Sequence, residues 1–471
     1  SLTVSPRIGF VYDVFGDKTL KFRGGTGFFQ GRLPLVFFTN LPTNSGMVQY
    51  QAQLNATNAF NPKTRKKEGV DMTPFAGGLV CDANGKPTAA ALRDKLISLG
   101  YPENITPETG TLPSAISAVD TDFKLPQVWK TSFAIDYQIP VSFPMSVSVE
   151  GIFNKTLNAA TLTDWSVQDV KGFPRFNGAD NRPIYPKGSS VGTSAYVLEN
   201  TSRGYGWSFS AQVNAQPWEW LNLMAAYTHT VSKEVTSLPG SNASSVLNYI
   251  STVYGPNNIK LHNGQNVTPD RIIASATIHD KCNNHYSFIY EAWRGGYNYS
   301  YMMVNDINAD GYNYDAIYIP TDQQVADNEF RFKTEDDKTR FMDYVHNNSY
   351  LKNHQGEYAE AYSLYSPWVH RIDFSYKHDF KFDVAGHTNT IQLSFDMKNV
   401  LNFFNSSWGV MKYLNPEIGS DPRILRYEGY DKDGYATFST PKSINGNTKT
   451  FVPNHAIGQC WYASVGLRYI F

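Results

Sequence analysis

The residues best suited to chemistry are oxygen donors gathered in one short run. Asp306-Ile-Asn308-Ala-Asp310-Gly311-Tyr312 places side-chain oxygens at alternate positions, a glycine for a sharp turn, and a backbone carbonyl at Tyr312. Hard cations such as calcium take oxygen ligands in this pattern, and Asp315 can add a carboxylate. An EF-hand would need Glu at its twelfth position, where Ile317 stands, and no helical pattern precedes the run. An Asx-rich turn without metal accounts for the same residues. A second candidate is the aromatic ladder Tyr297, Tyr299 and Tyr301. Carbohydrate or peptide can stack on such rings, and an ordinary hairpin can also carry them.

Other reactive types are present without a pattern. The 10 His form no H-E-x-x-H motif and no close group with Cys, which excludes a catalytic zinc site by spacing. Ser241–Ser245 lacks the strand-to-helix context of a nucleophile elbow. Gly24-Gly25-Thr26-Gly27 lies within a strand pattern, so it reads as a bend or a close approach rather than a phosphate cradle. Cys81, Cys282 and Cys460 are too scattered for a disulfide framework, although a Cys81–Cys460 bridge is conceivable in an oxidising setting. The chain therefore reads as a non-enzyme.

Composition narrows the class. Charged residues are 18% of the 471, against roughly 25% in ordinary globular chains, while aromatics reach 14%. Lys+Arg at 41 and Asp+Glu at 42 leave a net charge of −1, so nothing draws the chain to nucleic acid. A mean hydropathy of −0.39 and the lack of any apolar run of about 18 residues exclude a helical membrane protein. They leave a membrane β-barrel open, because outward and inward residues alternate and cancel in an average.

Period-2 alternation recurs along the whole chain. Trp207, Phe209, Ala211 and Val213 oppose Ser208, Ser210, Gln212 and Asn214; Ile391, Leu393, Phe395 and Met397 oppose Gln392, Ser394, Asp396 and Lys398. This spacing predicts eleven strands, at about 6–14, 18–29, 127–139, 143–154, 204–216, 219–231, 269–280, 284–295, 367–379, 387–399 and 459–471. Tight turns at Phe15–Lys18, Ile139–Ser142, Pro217–Trp218, Lys281–Asn284 and Phe380–Ala385 alternate with long connections at about 30–126, 155–203, 232–268, 296–366 and 400–458. Segments 88–99 and 334–363 within those connections look helical. Short on one side and long on the other is the pattern of an outer-membrane barrel, with periplasmic turns and extracellular loops.

On this register Tyr12, Phe22, Tyr137, Tyr227, Tyr286, Tyr290, Tyr376 and Tyr469 face lipid. Lys21, Arg23, Lys130, Asp136, Glu150, Arg371, Asp373, Asp396, Lys398 and Arg468 face the lumen, solvating it or docking a plug. The fold class is all-β: a transmembrane antiparallel barrel. An odd strand number cannot close an antiparallel barrel, and lipid does not tolerate an open edge. The chain, which begins at Ser1 without Met, reads as part of something longer, with Phe471 at the periplasmic side.

Several segments resemble the C-terminal barrel of TonB-dependent outer-membrane receptors, specifically the Oar-like branch common in Bacteroidetes. They are SPRIGFVYDVFGDKTLKFRGGTGFFQGRLP, NADGYNYDAIYIPTD, NHQGEYAEAYSLYSPWVHRIDFSYKHDF and LSFDMKNVLNFFNSSWG. The terminal WYASVGLRYIF also looks like a barrel-assembly signal. The resemblance implies that residues 1–471 are the latter half of a barrel of about 22 strands. A plug, a TonB box and an N-terminal regulatory-like domain would lie elsewhere. It implies import of a nutrient across the outer membrane of a Gram-negative bacterium, driven by the TonB complex, with a surface lipoprotein as a further partner. A docking barrel in an envelope assembly and a passive porin are the alternatives. The family carries a similar Asp/Asn-Gly stretch near Asp306–Asp315, which implies a rigidifying role for that loop.

Overall fold

The computed structural model describes the chain except residues 1–3, 33–34, 36–37, 40, 42–55, 57–59, 62–63, 65, 107–114, 188–193, 237–242, 248, 385 and 420. Eleven long strands form one antiparallel wall in chain order. They are β1 (Arg7–Asp13), β2 (Leu20–Gln30), β3 (Gln127–Gln138), β4 (Met145–Asp164), β5 (Tyr205–Trp218) and β6 (Leu221–Glu234). β7 (Asp270–His279), β8 (Asn284–Arg294), β9 (Val369–Val384), β10 (His387–Lys398) and β11 (Tyr462–Ile470) complete it. Among the described residues no helix is long and apolar enough to cross a membrane.

Register gives the wall its two faces, because directly opposed residues share a side. Tyr286 opposes Tyr376 and Phe288 opposes Phe374; Tyr376 opposes Phe395, which opposes Val465. This apolar ladder is bare: Val465 is 74% and Leu467 76% exposed, which water would penalise and lipid favours. The other face carries the charges. Lys21 opposes Asp136, and Arg23 reaches Asp136 at 3.0 Å and Glu150 at 3.3 Å. Lipid on one side and charge on the other is the sidedness expected of a barrel wall. β1 pairs with β2, β11 pairs with β10, and among the described residues neither has a second partner.

Several strands outrun their predicted ends: β5 runs to Trp218, so the turn expected at Pro217–Trp218 falls at 219–220, and β6 runs on to Glu234. The turn expected over Phe380–Ala385 is strand as far as Val384, because Phe380, Phe382 and Val384 pair with Ile391, Asn389 and His387. β4 continues ten residues past the expected 154, to Asp164. Its last stretch leaves the wall and pairs Ala159–Asp164 with Tyr196–Thr201, where Ala160 and Leu162 are buried. Packing thus carries the strand on after its period-2 pattern has faded.

At the long-connection end the chain folds into a cap with its own cores. One core gathers Phe176, Tyr301, Ile317, Phe341, Ile424 and Phe438 from three connections. A second joins Leu162, Tyr196, Val246, Ile250, Tyr312 and Tyr362. Short strands bind the cap together: Met302–Val304 runs parallel to Arg423–Tyr430, which turns back on Ala436–Ser439. Helix α1 (Ala89–Ser98) starts where Thr88 accepts from the Ala91 amide. The helical pattern over 334–363 resolves into α2 (Glu335–Asn347) and α3 (Ser349–Asn353), followed by a turn and the two-residue strand Glu357–Tyr358. Asn348, extended at φ −110° and ψ 116°, ends one helix and caps the next. Thr334 accepts from the Asp337 amide, and Asp337 in turn accepts from Arg340 and from the Thr440 amide.

Phe341 and Phe438 are fully enclosed, so truncation leaves a cavity. We predict that Phe341→Ala or Phe438→Ala costs about 3–5 kcal/mol of cap stability. Hydrogen exchange should rise across 302–319 and 331–353 while the wall amides stay protected.

Candidate functional site: an acidic loop and an adjoining cavity in the cap

Asp306–Asp315 follows the cap strand Met302–Val304 and is tied by Tyr312 to the part of β4 that has left the wall; the Tyr312 hydroxyl donates to Asp164 (2.6 Å). Ala309 and Gly311 take left-handed conformations, at φ +61° and +91°. The acidic oxygens serve the turn: Asp306 accepts from the Gly311 amide (2.8 Å), Asn308 from that of Asp310 (3.1 Å), and Asp310 from that of Tyr312 (2.8 Å). This is the Asx bonding expected of such residues without metal.

Charge makes the loop unusual. Arg182 is wholly buried and grips Asp180 with two nitrogens, at 2.8 and 2.9 Å; it also reaches Asp315 at 3.4 Å and the Ala316 carbonyl at 2.8 Å. One cation thus faces two carboxylates, with Asp310 also buried and Asp306 partly so. Burial, then the like charge of Asp306, pushes the Asp310 carboxyl up to about 7. Burial raises Asp315 well above the usual carboxylate range despite Arg182, and it raises Asp306 too. Among the described residues Asp306 Oδ1 is buried without a hydrogen-bond partner. A buried carboxylate in this position needs a proton or a cation.

The structure therefore brings Asp306, Asn308 and Asp310 into one turn and sets Asp315 against Arg182. Among the described residues no three Asp, Glu, His or Cys side chains converge as a metal cage. The outer side of the loop, at Asn305, Gly311 and Asn313, lines a cavity of ≈ 640 Å³ with Tyr249, Tyr314 and Arg423. Tyr249 and Tyr314 meet edge to face at 5.6 Å, and the Arg423 guanidinium lies 5.1 Å over Tyr314. Arg423 donates to the Met303 carbonyl at 2.8 Å, which fixes its stem. Sequence spacing missed Tyr249, Tyr314 and Arg423, because they come from separate connections and no linear signal joins them.

The tyrosine ladder is not an open platform. Tyr301 is fully buried in the cap core and its hydroxyl accepts from Asn348 at 2.7 Å. Tyr299 packs between Tyr297 and Phe451, and of the three only Tyr297, 47% exposed, is open to a ligand. The chain there is threaded through the cap rather than raised as a free hairpin. All three cysteines are free and exposed, so Cys81 and Cys460 form no bridge. Gly24, Gly25 and Gly27 lie in β2, where a side chain would meet backbone oxygens of Ser132, Ile8 and Pro6 at 2.8–2.9 Å; close strand approach accounts for them. Of the serine-rich stretch, Ser241 and Asn242 lie outside the described residues.

A two-faced antiparallel wall with tight turns at one end and a folded cap at the other defines a membrane β-barrel architecture. The chain belongs to the outer membrane beta barrel domain family, whose model matches residues 1–409. It is similar to the outer membrane transporter YddB from Escherichia coli at 10% identity and a TM-score of 0.43, over 99% of this chain and 41% of that one. It also has a likeness, at 7% identity and a TM-score of 0.16, to the RagAB peptide importer in its closed-closed state, over 96% of this chain and 54% of that one. The chain thus spans less than half the length of YddB. No curated protein sequence matches it.

The pH dependence of the acidic loop follows from Asp310. Its carboxyl titrates near 4 when unfolded and near 7 when folded, so between those values the folded state holds the extra proton. Stability contributed here is present at low pH and falls as pH rises towards 7. In chelator, the cap should melt at lower temperature at pH 8 than at pH 5.5, and Asp310→Asn should flatten that difference.

Proposed function

We propose that this chain is the latter half of the barrel of an Oar-like, TonB-dependent transporter that imports a nutrient across the outer membrane of a Gram-negative bacterium. The observation that carries this reading is the folded cap, which holds a cavity lined by Tyr249, Tyr314 and Arg423, at the long-connection end of a wall with one charged face. A passive pore has no need of a cap with two cores, whereas a selective importer needs a surface that captures its cargo before a path opens. The Asp/Asn-Gly stretch, the terminal aromatic signal and the family's barrel support the same reading.

In this scheme the tight turns are periplasmic, the cap is extracellular, and Phe471 ends at the periplasmic side. Further strands pair with β1 and β11 to close a barrel of about 22 strands. A plug docks on the polar face near Arg23, Asp136, Arg371 and Asp373, and the TonB complex moves it. No covalent bond is made or broken. Tyr249, Tyr314, Arg423 and Tyr297 receive the cargo: rings supply apolar contact and the guanidinium a directional donor. A surface lipoprotein on the cap is a further partner. We also propose that calcium occupies the Asp306–Asp315 loop and offsets its surplus charge, with Asp306, Asn308, Asp310, the Tyr312 carbonyl and Asp315 as donors.

Deletion of the full-length gene should produce a growth defect on one class of limiting nutrient. Wild type should restore growth, while Tyr249→Ala/Arg423→Ala should lower uptake roughly tenfold or more, the loss of about 1.4 kcal/mol or more of binding. Co-purification with surface proteins without such a defect would favour a docking barrel, and steady conductance in planar bilayers a porin. Calcium should raise the melting temperature of the cap at pH 8 in wild type and leave Asp306→Asn/Asp310→Asn unmoved; equal shifts in both would refute the metal.

A further inference from the structure

We infer that the hairpin joining β7 and β8 holds a transition-metal site, formed by the Nδ1 atoms of His279 and His285. The two residues are directly opposed in register, at the tight-turn end of the wall. Their Nδ1 atoms meet in a hydrogen-bond contact of 2.5 Å, with ring centres 4.8 Å apart and planes crossed at 73°; a metal with bonds of about 2.0–2.1 Å to each nitrogen takes the place of the shared proton and parts the two atoms to roughly 3 Å. The turn between them is held firmly: the Asp280 carboxylate accepts from the Cys282 and Asn284 amides, both at 2.8 Å, and Asn283 takes a left-handed conformation at φ +59°. The pair is therefore set by backbone geometry rather than by two wandering side chains.

The second observation is a carboxylate behind one ring. Asp379 on β9 lies 3.2 Å from His285 Nε2, and its other oxygen accepts from Gln392 of β10 at 2.8 Å. An ionised carboxylate is an acceptor only, so the His285 proton resides on Nε2. Nδ1 of His285 is then a lone pair aimed at His279. A carboxylate behind a ligating imidazole is the arrangement that fixes tautomer and orientation in metal sites. Two imidazoles suit Cu²⁺, Zn²⁺ or Ni²⁺, with water filling the remaining positions. Lys377 opposes His285 on the next strand and bears a like charge; the Asp379 carboxylate on the same face counters it. The expectation of no close group of His and Cys overlooks His279-x-x-Cys282-x-x-His285, whose histidines the hairpin register brings together.

The test is Cu²⁺ titration of the untagged full-length protein, purified from outer membranes in detergent and followed by electron paramagnetic resonance. Wild type should bind one Cu²⁺ in a spectrum split by two equivalent-type nitrogens. His279→Ala/His285→Ala should lose that spectrum, and Asp379→Ala should weaken binding roughly 10–100-fold while retaining it. A wild-type spectrum without nitrogen coupling would overturn the site regardless of how the variants fold. Retention of the same spectrum by the double variant would overturn it equally.

Discussion

In a hydrocarbon environment a backbone amide or carbonyl has no water to fall back on, and each one left unpaired costs several kcal/mol. Most of this molecule follows from that constraint. It requires long strands, makes each strand pair along its full length, and leaves side chains to divide by face. The wall satisfies it internally from β2 to β10, each strand hydrogen-bonded on both sides. At β1 and β11 the pairing is one-sided among the described residues.

The cap obeys a different balance. Outside the bilayer its chain can meet water, yet it buries aromatic cores and a complete Arg182 side chain. A guanidinium without solvent is tolerated only when its donors are matched, and here Asp180, Asp315 and the Ala316 carbonyl match them. That pairing links the 155–203 connection to the 296–366 connection. Among the described residues Asp310 and Asp306 have no ion pair of their own, so the same charge accounting that assembles the cap creates an electrostatically unsatisfied place within it.

Legibility differed between wall and cap for a physical reason. Every wall strand was readable, from β1 to β11, because one-sided burial in lipid imposes a strict period of two on local sequence. The ends were less readable where pairing, rather than patterning, sets length, as at Val384 and Asp164. The acidic run was legible as a turn, since Asp306, Asn308 and Asp310 bond to neighbouring amides. Its electrostatics were not, because Arg182 lies more than a hundred residues away. The tyrosine ladder misled in part: alternate spacing suggests a shared open face, but Tyr301 is drawn into the core formed with Phe341 and Phe438.

By itself, then, the sequence determined the architecture of the wall, its strand number, its two faces, and the division into tight turns and long connections. All of these depend on interactions between near neighbours or on a solvent that acts on each strand alike. Only tertiary structure decided where Tyr249, Tyr314 and Arg423 meet, which acidic residues share a cation, and that His279 confronts His285 with Asp379 behind it. Those groups belong to different connections or strands, and their meeting depends on register and packing rather than on any local pattern.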